Sequence, residues 1–293
     1  MATSLNDSVV LVTGAARGIG AEAARRLAAR GARLALLGLE PERLAALASE
    51  LGVAHRWWEC DVTDQSALDE AVAGVVTVFG RIDVVLANAG IANNGTVAVT
   101  PAEALAHVVD VNLTGVIRTV KATLPHLVAS RGYCLLVSSV AAFAAVPGLA
   151  TYAATKAGVE QFATVLRLEL ARKGVAVGSA HPCWIDTDLV RDLQRDLASF
   201  DQMIRLLPGP LGAVTSVGAC AETLVRAIER RSRRVYVPAS MRALAWLRPL
   251  AASPLVERLI VWRGRALLEQ LEREAPALRR SFGVNSAGLG SRK

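Results

Sequence analysis

The sequence predicts an α/β fold, with a doubly wound parallel sheet of about seven strands and helices on both faces. Alternation of apolar runs with amphipathic helical stretches is typical of such a sheet. The chain has 293 residues, 53% of them hydrophobic, so it can bury one large core. We predict one domain over residues 1–240 and a helical extension over residues 241–293. The predicted strands are Val9–Thr13, Arg33–Leu37, Ala54–Glu59, Val84–Ala87, Tyr133–Ser138, Ala176–Ala180 and Val235–Val237.

The first predicted strand leads through a glycine-rich turn into a helix. Val9–Thr13 is followed by Gly14, Gly18 and Gly20, and then by an Ala, Leu and Arg-rich stretch from Ala21 to Arg30. Glycines let the backbone approach a pyrophosphate closely, and a helix N-terminus presents free N–H groups and the positive end of its dipole. Tight turns also use glycine, but the position between strand and helix favours a dinucleotide site.

A tyrosine and a lysine lie one helical turn apart in a later segment. Tyr152 and Lys156 fall on one helix face because four residues span about one turn, and Ser138 and Ser139 precede them. A free phenol has a pKa of about 10, and a fixed neighbouring cation favours its phenolate form. The pair can therefore move a proton at physiological pH. Coincidence on one helix face is the alternative for the pair taken alone.

Together these segments resemble the short-chain dehydrogenase/reductase family. Over residues 5–240 five motifs stand in the family's order and spacing, namely Thr13-Gly14 with Gly18-Ile19-Gly20, Asn88-Ala89-Gly90, Asn112, Ser139, and Tyr152 with Lys156. The resemblance implies a Rossmann-like fold, a nicotinamide cofactor, and hydride exchange with a small-molecule carbonyl or alcohol. A catalytically silent dinucleotide-binding sensor or interaction protein is the alternative on the same fold. The intact serine, tyrosine and lysine favour the enzyme.

The resemblance implies catalytic roles for four residues. Tyr152 would be the general acid/base, and Ser139 would hold the substrate oxygen. Ser139 is preferred to Ser138 because thirteen residues before the tyrosine is the family's usual spacing. Lys156 would lower the pKa of the phenol and hold the nicotinamide ribose. Asn112 would hold a water in a proton relay to the lysine, unless its amide bonds the backbone inside a helix.

The same resemblance implies a set of cofactor contacts. Asp61 and Val62 would bind the adenine, although a strand-end turn or helix cap is an alternative for Asp61. The full predicted set is Thr13, Gly14, Arg17, Gly18, Ile19, Gly20, Gly38, Asp61, Val62, Asn88, Ala89, Gly90, Tyr152, Lys156, Pro182, Ile185 and Thr187.

The end of the second strand bears on the choice between NADP and NAD. Gly38 stands where NAD-dependent relatives carry an acidic residue that binds the ribose hydroxyls. Gly38 leaves room for a 2′-phosphate and Arg17 can pair with it, so NADP is favoured. NAD is the alternative, because Leu39 is not basic and Glu40 can reach the ribose.

The segment from His181 to Thr187 resembles the family's loop that binds the carboxamide. Cys183 replaces the usual glycine, and cysteine does not favour positive φ, so we expect a different local backbone. Cys183 is expected to be a packed small residue, and His181 a core or loop histidine rather than a catalyst.

Residues 188–212 are expected to form a lid over the substrate. Pro208 and Pro210 close this segment, and its apolar character would suit a bulky hydrophobic substrate. Helical spacing also fits an amphipathic helix facing the core, which is the alternative. The apolar residues are Leu189, Leu193, Leu197, Phe200, Met203, Ile204, Leu206 and Leu207.

The C-terminal extension carries the excess positive charge of the chain. Residues 230–293 contain 14 Lys and Arg against four Asp and Glu, whereas residues 1–229 have a net charge of −3. Mixed charges with Pro249 and Pro254 argue against a membrane span. We expect the extension to pack beside the lid or a partner subunit. A weak interfacial contact with anionic lipid is the alternative, and no recognition motif supports nucleic-acid binding. Packing is expected to bury Trp246, Leu250, Leu259 and Trp262.

Cysteine and histidine usage gives no sign of a metal site or a disulfide framework. No CxxC pair is present, and the histidines His55, His107 and His126 form no ligand spacing. The N-terminus has no signal-peptide pattern, so a reducing cytoplasm fits. The resemblance implies a homodimer or homotetramer built on helices around residues 101–126 and 152–172. The cysteines are Cys60, Cys134, Cys183 and Cys220.

Overall fold

Seven parallel strands form the central sheet of the protein, whose computed structural model describes residues 3–207, 209–251 and 253–284. All seven predicted strands are present, and their ends lie within two residues of the predicted ones. A separate pair of two-residue strands follows β6. In chain order the strands are β1 (Val9–Thr13), β2 (Arg33–Gly38), β3 (Arg56–Glu59), β4 (Val84–Ala87), β5 (Tyr133–Val137), β6 (Ala176–Pro182), β7 (Trp184–Ile185), β8 (Val214–Thr215) and β9 (Arg234–Val237).

Helices connect the strands and cover both faces of the sheet. A π-helical turn, Asp110–Thr114, joins the fourth helix to the fifth. The α-helices are α1 (Gly18–Ala28), α2 (Pro41–Leu51), α3 (Gln65–Phe79), α4 (Ala102–Val109), α5 (Gly115–Ser130), α6 (Ala150–Leu170), α7 (Asp188–Asp196), α8 (Ala198–Leu206), α9 (Val217–Glu229), α10 (Met241–Trp246), α11 (Arg248–Ala251) and α12 (Pro254–Ala277).

The core is divided into two layers by the sheet, whose strand order is β3-β2-β1-β4-β5-β6-β9. Val10 and Val12 of β1 face one layer, which is formed with α1, α2 and α9. Val9 and Leu11 face the other layer, which is formed with α3, α5 and α6. This alternation follows from the two-residue period of a strand. Burial on both faces explains why β1 is an uninterrupted apolar run.

The strand order reverses between β1 and β4, and a crevice forms beyond the C-terminal ends of these strands. Such a reversal point is where open α/β sheets bind ligands. The backbone N–H of Asn88 donates to Thr13 Oγ1 at 3.0 Å, and its Nδ2 donates to the Thr13 carbonyl at 3.0 Å. These two bonds fix the floor of the crevice.

The C-terminal extension folds back onto the sheet domain. Its last long helix, α12, packs against α8, where Ser199 donates from its backbone N–H and its hydroxyl to Glu274 at 3.1 and 2.7 Å. The chain then returns toward β4, because the N–H of Asn94 donates to the Ser281 carbonyl at 2.7 Å. Phe282 is buried against Ile91 and neighbouring residues. No helix in the described part of the chain is long and apolar enough to cross a membrane.

The expectation that packing buries the tryptophans of the extension is wrong. Trp246 and Trp262 are 81% and 77% exposed, and Leu259 is 50% exposed. The part of α12 that packs against the domain begins at about Leu267. Trp262 lies before this part, and helical periodicity turns its side chain away from α8. Pro208, residues 285–293, and the side chains of Pro210 and Leu250 lie outside the described residues.

Candidate active site

The glycine-rich turn lies at the N-terminus of α1 and leaves open space beside it. Gly14 has a φ of +64°, and a Cβ on it would lie 2.9 Å from the Cα of Ala89. A Cβ on Gly20 would overlap the carbonyl oxygen of Gly14. None of the described side chains caps the first turn of α1, so its N–H groups face the crevice. These residues fit the pyrophosphate of a dinucleotide.

An ion pair lies at the end of the crevice where β2 stops. Arg17 Nε donates to Glu40 Oε2 at 2.8 Å, and Arg43 Nε lies 3.3 Å from Glu40 Oε1. Gly38 lines the cavity next to this pair. The predicted phosphate partner Arg17 and the predicted ribose acceptor Glu40 are therefore engaged with each other.

Asp61 lies further along the same wall and forms the strand-end turn that the sequence offers as one alternative. Its Oδ1 accepts from the backbone N–H and the hydroxyl of Thr63, both at 2.8 Å, as expected for a strand-end turn. Asp61 and Val62 also line the cavity. The turn therefore fixes the orientation of a carboxylate that faces the cofactor half of the cavity.

Ser139 and Tyr152 meet across the crevice. The Ser139 hydroxyl lies close enough to the Tyr152 phenol to lower the pKa of that phenol, and both residues line the cavity. Ser139 Oγ also donates to the Pro182 carbonyl at 3.2 Å. The neighbouring Ser138 instead donates to the Lys156 carbonyl at 2.7 Å. Ser139 is thus the serine that contacts the tyrosine, and Ser138 ties β5 to α6.

Lys156 lies on the same face of α6 as Tyr152, as the four-residue spacing predicts. Its Nζ donates to the Val137 carbonyl at 3.0 Å and lies 5.6 Å from the centre of the Tyr152 ring. Burial lowers the pKa of Lys156 to about 8. Burial also raises the pKa of Tyr152, and the Ser139 hydroxyl offsets this only in part. The net shift of the Tyr152 pKa is therefore upward, whereas the sequence predicts a lowering by Lys156.

Asn112 is buried in the π-helical turn, and its amide bonds the backbone. Its Oδ1 accepts from the Ile91 N–H at 2.8 Å, while its Nδ2 donates to the Ile91 carbonyl at 2.9 Å and to Thr155 Oγ1 at 3.3 Å. A methyl group on Gly90 would lie 3.2 Å from Asn112 Oδ1 and 3.3 Å from Lys156 Nζ. Asn112 therefore lies directly behind Gly90 and Lys156 and holds the segment that follows β4.

A cavity of about 870 Å³ connects these groups. It begins at Gly14, Glu40 and Asp61, passes Ser139 and Tyr152, and ends among apolar side chains of α7 and α8. The residues of the predicted lid that line it are Leu189, Leu193, Leu197, Phe200, Met203, Leu206 and Leu207. Ile204 is buried in a cluster with Phe200 and Ala275. The apolar residues of α7 and α8 therefore partly line the cavity and partly pack in a cluster with α12.

Comparison with known proteins identifies the family. Residues 8–198 match the family described as short chain dehydrogenase. The chain belongs to the short-chain dehydrogenase family. It is an NAD(P)-dependent dehydrogenase that acts on CH–OH and C=O groups, and enzymes of this family act on small molecules and are commonly oligomeric.

Individual relatives agree with this family and extend the similarity beyond the sheet domain. SadH of Mycobacterium tuberculosis, a protein named as an oxidoreductase, is 32% identical over 89% of this chain and 99% of its own length. That coverage necessarily includes part of the C-terminal extension. The serine 3-dehydrogenase of Agrobacterium fabrum is 39% identical over 62% of this chain and 74% of its own.

Two further matches are a hydroxysteroid dehydrogenase and a solved structure. The 3-alpha-(or 20-beta)-hydroxysteroid dehydrogenase of Mycobacterium bovis is 35% identical over 67% of this chain and 76% of its own. The crystal structure of gox2181 superposes with a TM-score of 0.74 and is 25% identical, with 80% of this chain and 96% of that chain covered.

The loop after β6 has the ordinary backbone that a cysteine in place of glycine favours. Cys183 is not among the residues with positive φ, and its N–H donates to the Val237 carbonyl at 2.8 Å. Burial raises the pKa of its thiol to about 11, so the thiol is neutral at physiological pH. Pro182, Ile185 and Thr187 line the cavity.

His181 is the core residue that the sequence predicts. Its ring is fully buried and stacks on Tyr236 with 5.2 Å between ring centres. Its Nε2 lies 3.1 Å from Ser179 Oγ, and burial lowers its pKa. The imidazole therefore packs behind the dehydrogenase site. Elsewhere in the described residues, no group of three or more His, Cys, Asp or Glu side chains is placed to hold a metal ion.

One face of α12 forms a cavity wall that the sequence analysis missed. The wall residues recur every three or four positions, so they lie on one helical face. This period in the sequence could have identified them. Arg263 is the one charged residue on that face, and Gly264 has no side chain. The wall consists of Val256, Leu259, Ile260, Arg263, Gly264, Leu267, Leu268 and Leu271.

Asn93 is a second residue that the sequence analysis missed. It is buried, it lines the cavity, and its Oδ1 has no hydrogen-bond partner among the described residues. Its Nδ2 donates to the Gly95 carbonyl at 3.0 Å. A buried acceptor of this kind costs free energy unless a donor reaches it. The sequence feature that could have identified Asn93 is its position as a polar residue three positions after the Asn88-Ala89-Gly90 motif.

Proposed function

We propose that this short-chain dehydrogenase interconverts a bulky apolar ketone and its secondary alcohol, with Tyr152 as the general acid/base. Ser139 and Tyr152 lie side by side on a cavity of about 870 Å³ whose far walls are apolar side chains of α7, α8 and α12. Sites of this kind bind apolar ligands and orient them with a few polar groups. In this proposal residues 188–212 act as the substrate lid.

The two hydroxyl groups act on the substrate oxygen. A bound nicotinamide supplies the hydride in reduction and accepts it in oxidation. Ser139 and Tyr152 hold the carbonyl oxygen by hydrogen bonds, and Tyr152 Oη gives it a proton during reduction. Because burial raises the pKa of Tyr152, the phenol stays protonated near neutrality, which suits reduction. In oxidation the same oxygen takes the proton back.

Lys156 and Asn112 lie behind Ser139 and Tyr152 and would act through them and the cofactor. Lys156 is charged below a pH of about 8, and it would stabilise negative charge on the phenol while binding the nicotinamide ribose. The side-chain bonds of Asn112 to Ile91 and Thr155 favour a positioning role over the water relay. The carboxamide would be held by residues of the loop after β6, including Ile185 and Thr187.

We propose NADP as the preferred cofactor, with NAD as the alternative. Gly38 leaves space at the end of β2, and two guanidinium groups, those of Arg17 and Arg43, flank that space. Glu40 opposes this preference because its carboxylate pairs with both arginines. The preference is therefore set by competition between Glu40 and a 2′-phosphate for Arg17.

We propose a homodimer or homotetramer built on α5 and α6. These helices leave apolar side chains in solvent, among them Ile117, Val165 and Leu168. An apolar face of this kind on a single chain marks an interaction surface.

A substrate panel tests the proposed function. Hydride transfer is followed at 340 nm with NADPH and NADH against ketones of increasing apolar size, from butanone to a steroid ketone, with serine tested for oxidation. We expect kcat/KM to rise with apolar size. Turnover of serine with no turnover of the large ketones would contradict the proposal.

A further inference from the structure

The first half of α12 and the neighbouring α10 expose large apolar and basic side chains. Trp246, Leu255, Val261 and Trp262 are 81%, 76%, 69% and 77% exposed. We call these side chains, with the exposed Arg242 and Arg258, the tryptophan–arginine surface. Large apolar side chains are normally buried, so four of them exposed on the neighbouring helices α10 and α12 indicate a partner.

This surface is on the opposite side of α12 from the cavity wall. Leu255, Arg258, Trp262 and Arg265 recur at intervals of three and four residues, about half a turn away from the cavity-lining Val256, Ile260 and Arg263. Leu244 of α10 and Val256 of α12 line the same cavity. The exposed side chains of both helices therefore flank one end of the cavity.

The two halves of α12 differ in charge and in packing. Residues 254–265 contain three arginines and one glutamate, whereas residues 266–277 contain three glutamates and one arginine. The acidic half is fixed to the domain, since Glu272 accepts from Thr96 Oγ1 at 3.0 Å and Glu274 accepts from Ser199. The basic half is the half that faces solvent with its apolar groups.

The arginines of this region differ in their ion pairs. Arg248 lies 3.4 Å from Glu160 and Arg265 lies 3.1 Å from Glu269. Arg242 and Arg258 of the tryptophan–arginine surface have no carboxylate partner within the described residues. Arginine and tryptophan together on an amphipathic helix are typical of segments that lie at an anionic lipid surface.

We propose that the tryptophan–arginine surface docks the enzyme on an anionic phospholipid bilayer. A second copy of the chain fits it less well, because a two-fold contact would bring the same basic patch together twice. A bilayer offers both partners at once, negative headgroups for the arginines and an apolar boundary for the tryptophans. Docking through this surface brings α10 and α12, two helices that also line the apolar cavity through Leu244 and Val256, to the lipid.

Vesicle sedimentation of the full-length protein tests this proposal. We expect binding to phosphatidylcholine vesicles that contain phosphatidylglycerol, at least tenfold weaker binding to phosphatidylcholine alone, and loss of binding as salt is raised. The double variant Trp246→Ser/Trp262→Ser should bind at least tenfold more weakly. Val53→Ser, which alters an equally exposed valine on a distant loop, should bind like the wild type. Neither tryptophan lines the cavity, so turnover of a water-soluble ketone should be unchanged.

Three results would overturn the proposal. The first is wild-type protein that does not sediment with acidic vesicles. The second is a double variant that binds as well as the wild type. The third is a double variant that changes the oligomeric state in vesicle-free sedimentation velocity, which would assign the surface to a second copy of the chain. Because sedimentation requires no turnover, failure here is distinguishable from failure of the proposed ketone reductase activity.

Discussion

Lys156 keeps its ammonium group in a buried position behind the phenol, and burial lowers its pKa to about 8. The group is charged below that pH and loses its charge as the pH rises through it. Tyr152, whose pKa is raised by burial, stays protonated over the same range. We therefore predict that kcat for ketone reduction is constant from about pH 6 to 7 and falls about tenfold per pH unit above about pH 8.

The measurement is a pH profile of kcat at saturating cofactor and ketone. Full recovery of activity on return to pH 7 separates titration from unfolding. A rate that stays constant up to pH 10 would contradict the role assigned to the Lys156 charge.

Glu40 is the residue on which we expect the choice of cofactor to depend. Glu40→Gln removes the carboxylate that pairs with Arg17 and frees the guanidinium for a 2′-phosphate. We predict that the KM for NADPH falls about tenfold relative to that for NADH, which corresponds to about 1.4 kcal/mol. Glu42→Gln, an exposed position two residues on, is the matched control. An unchanged NADPH to NADH ratio would show that Arg17 does not contact the phosphate.

For individual residues, the sequence predicts which near neighbours in the chain lie together and misses contacts between residues that are far apart in it. Tyr152 and Lys156 could be paired because four residues on a helix fix their relative direction. The Arg17–Glu40 ion pair joins residues 23 positions apart, and it depends on how α1 and β2 meet. The pKa of Tyr152 also could not be predicted from its neighbour, since burial is the largest cause of its shift.

At the scale of elements, α12 is expected to limit the size of the substrate. Gly264 lines the cavity, and a Cβ built on it meets no atom within 4 Å. Gly264→Leu would extend a side chain into that space and would also favour the helix by up to about 1 kcal/mol. We predict a loss on the order of tenfold in kcat/KM for the largest ketones, with the smallest ketones unaffected.

Steady-state kinetics on the same size series measures this effect. Ala266→Leu, on an exposed position of the same helix, is the control and should leave the series unchanged. Equal kcat/KM for large ketones in the Gly264→Leu variant and the wild type would remove α12 from the substrate wall.

The strands were more predictable than the extension for a physical reason. A strand buried on both faces, such as β1, is apolar at every position, so its limits are clear in the sequence. α12 is apolar on two faces for different reasons, one lining the cavity and one exposed. Hydrophobicity alone does not distinguish these faces, so the burial of Trp262 was predicted wrongly.

In the whole molecule, we expect the exposed apolar face of α5 and α6 to form the interface between subunits. Leu168 is 74% exposed, and burial in a subunit interface would remove it from water. We predict that Leu168→Arg shifts the oligomer toward monomer, because a buried unpaired charge costs several kcal/mol. Sedimentation velocity measures the change, with Val97→Arg, another exposed apolar position, as the control. Identical sedimentation of both variants and the wild type would exclude this face as the interface.

If Tyr152 transfers the proton that accompanies hydride transfer, Tyr152→Phe must stop that transfer. The substitution removes only the hydroxyl beside Ser139 and leaves the ring in place. We predict that kcat for reduction of the best ketone falls by about 10²–10⁴, while the Kd for the cofactor, read from its fluorescence, changes less than threefold. A folded Tyr152→Phe protein that retains wild-type turnover would contradict the mechanism.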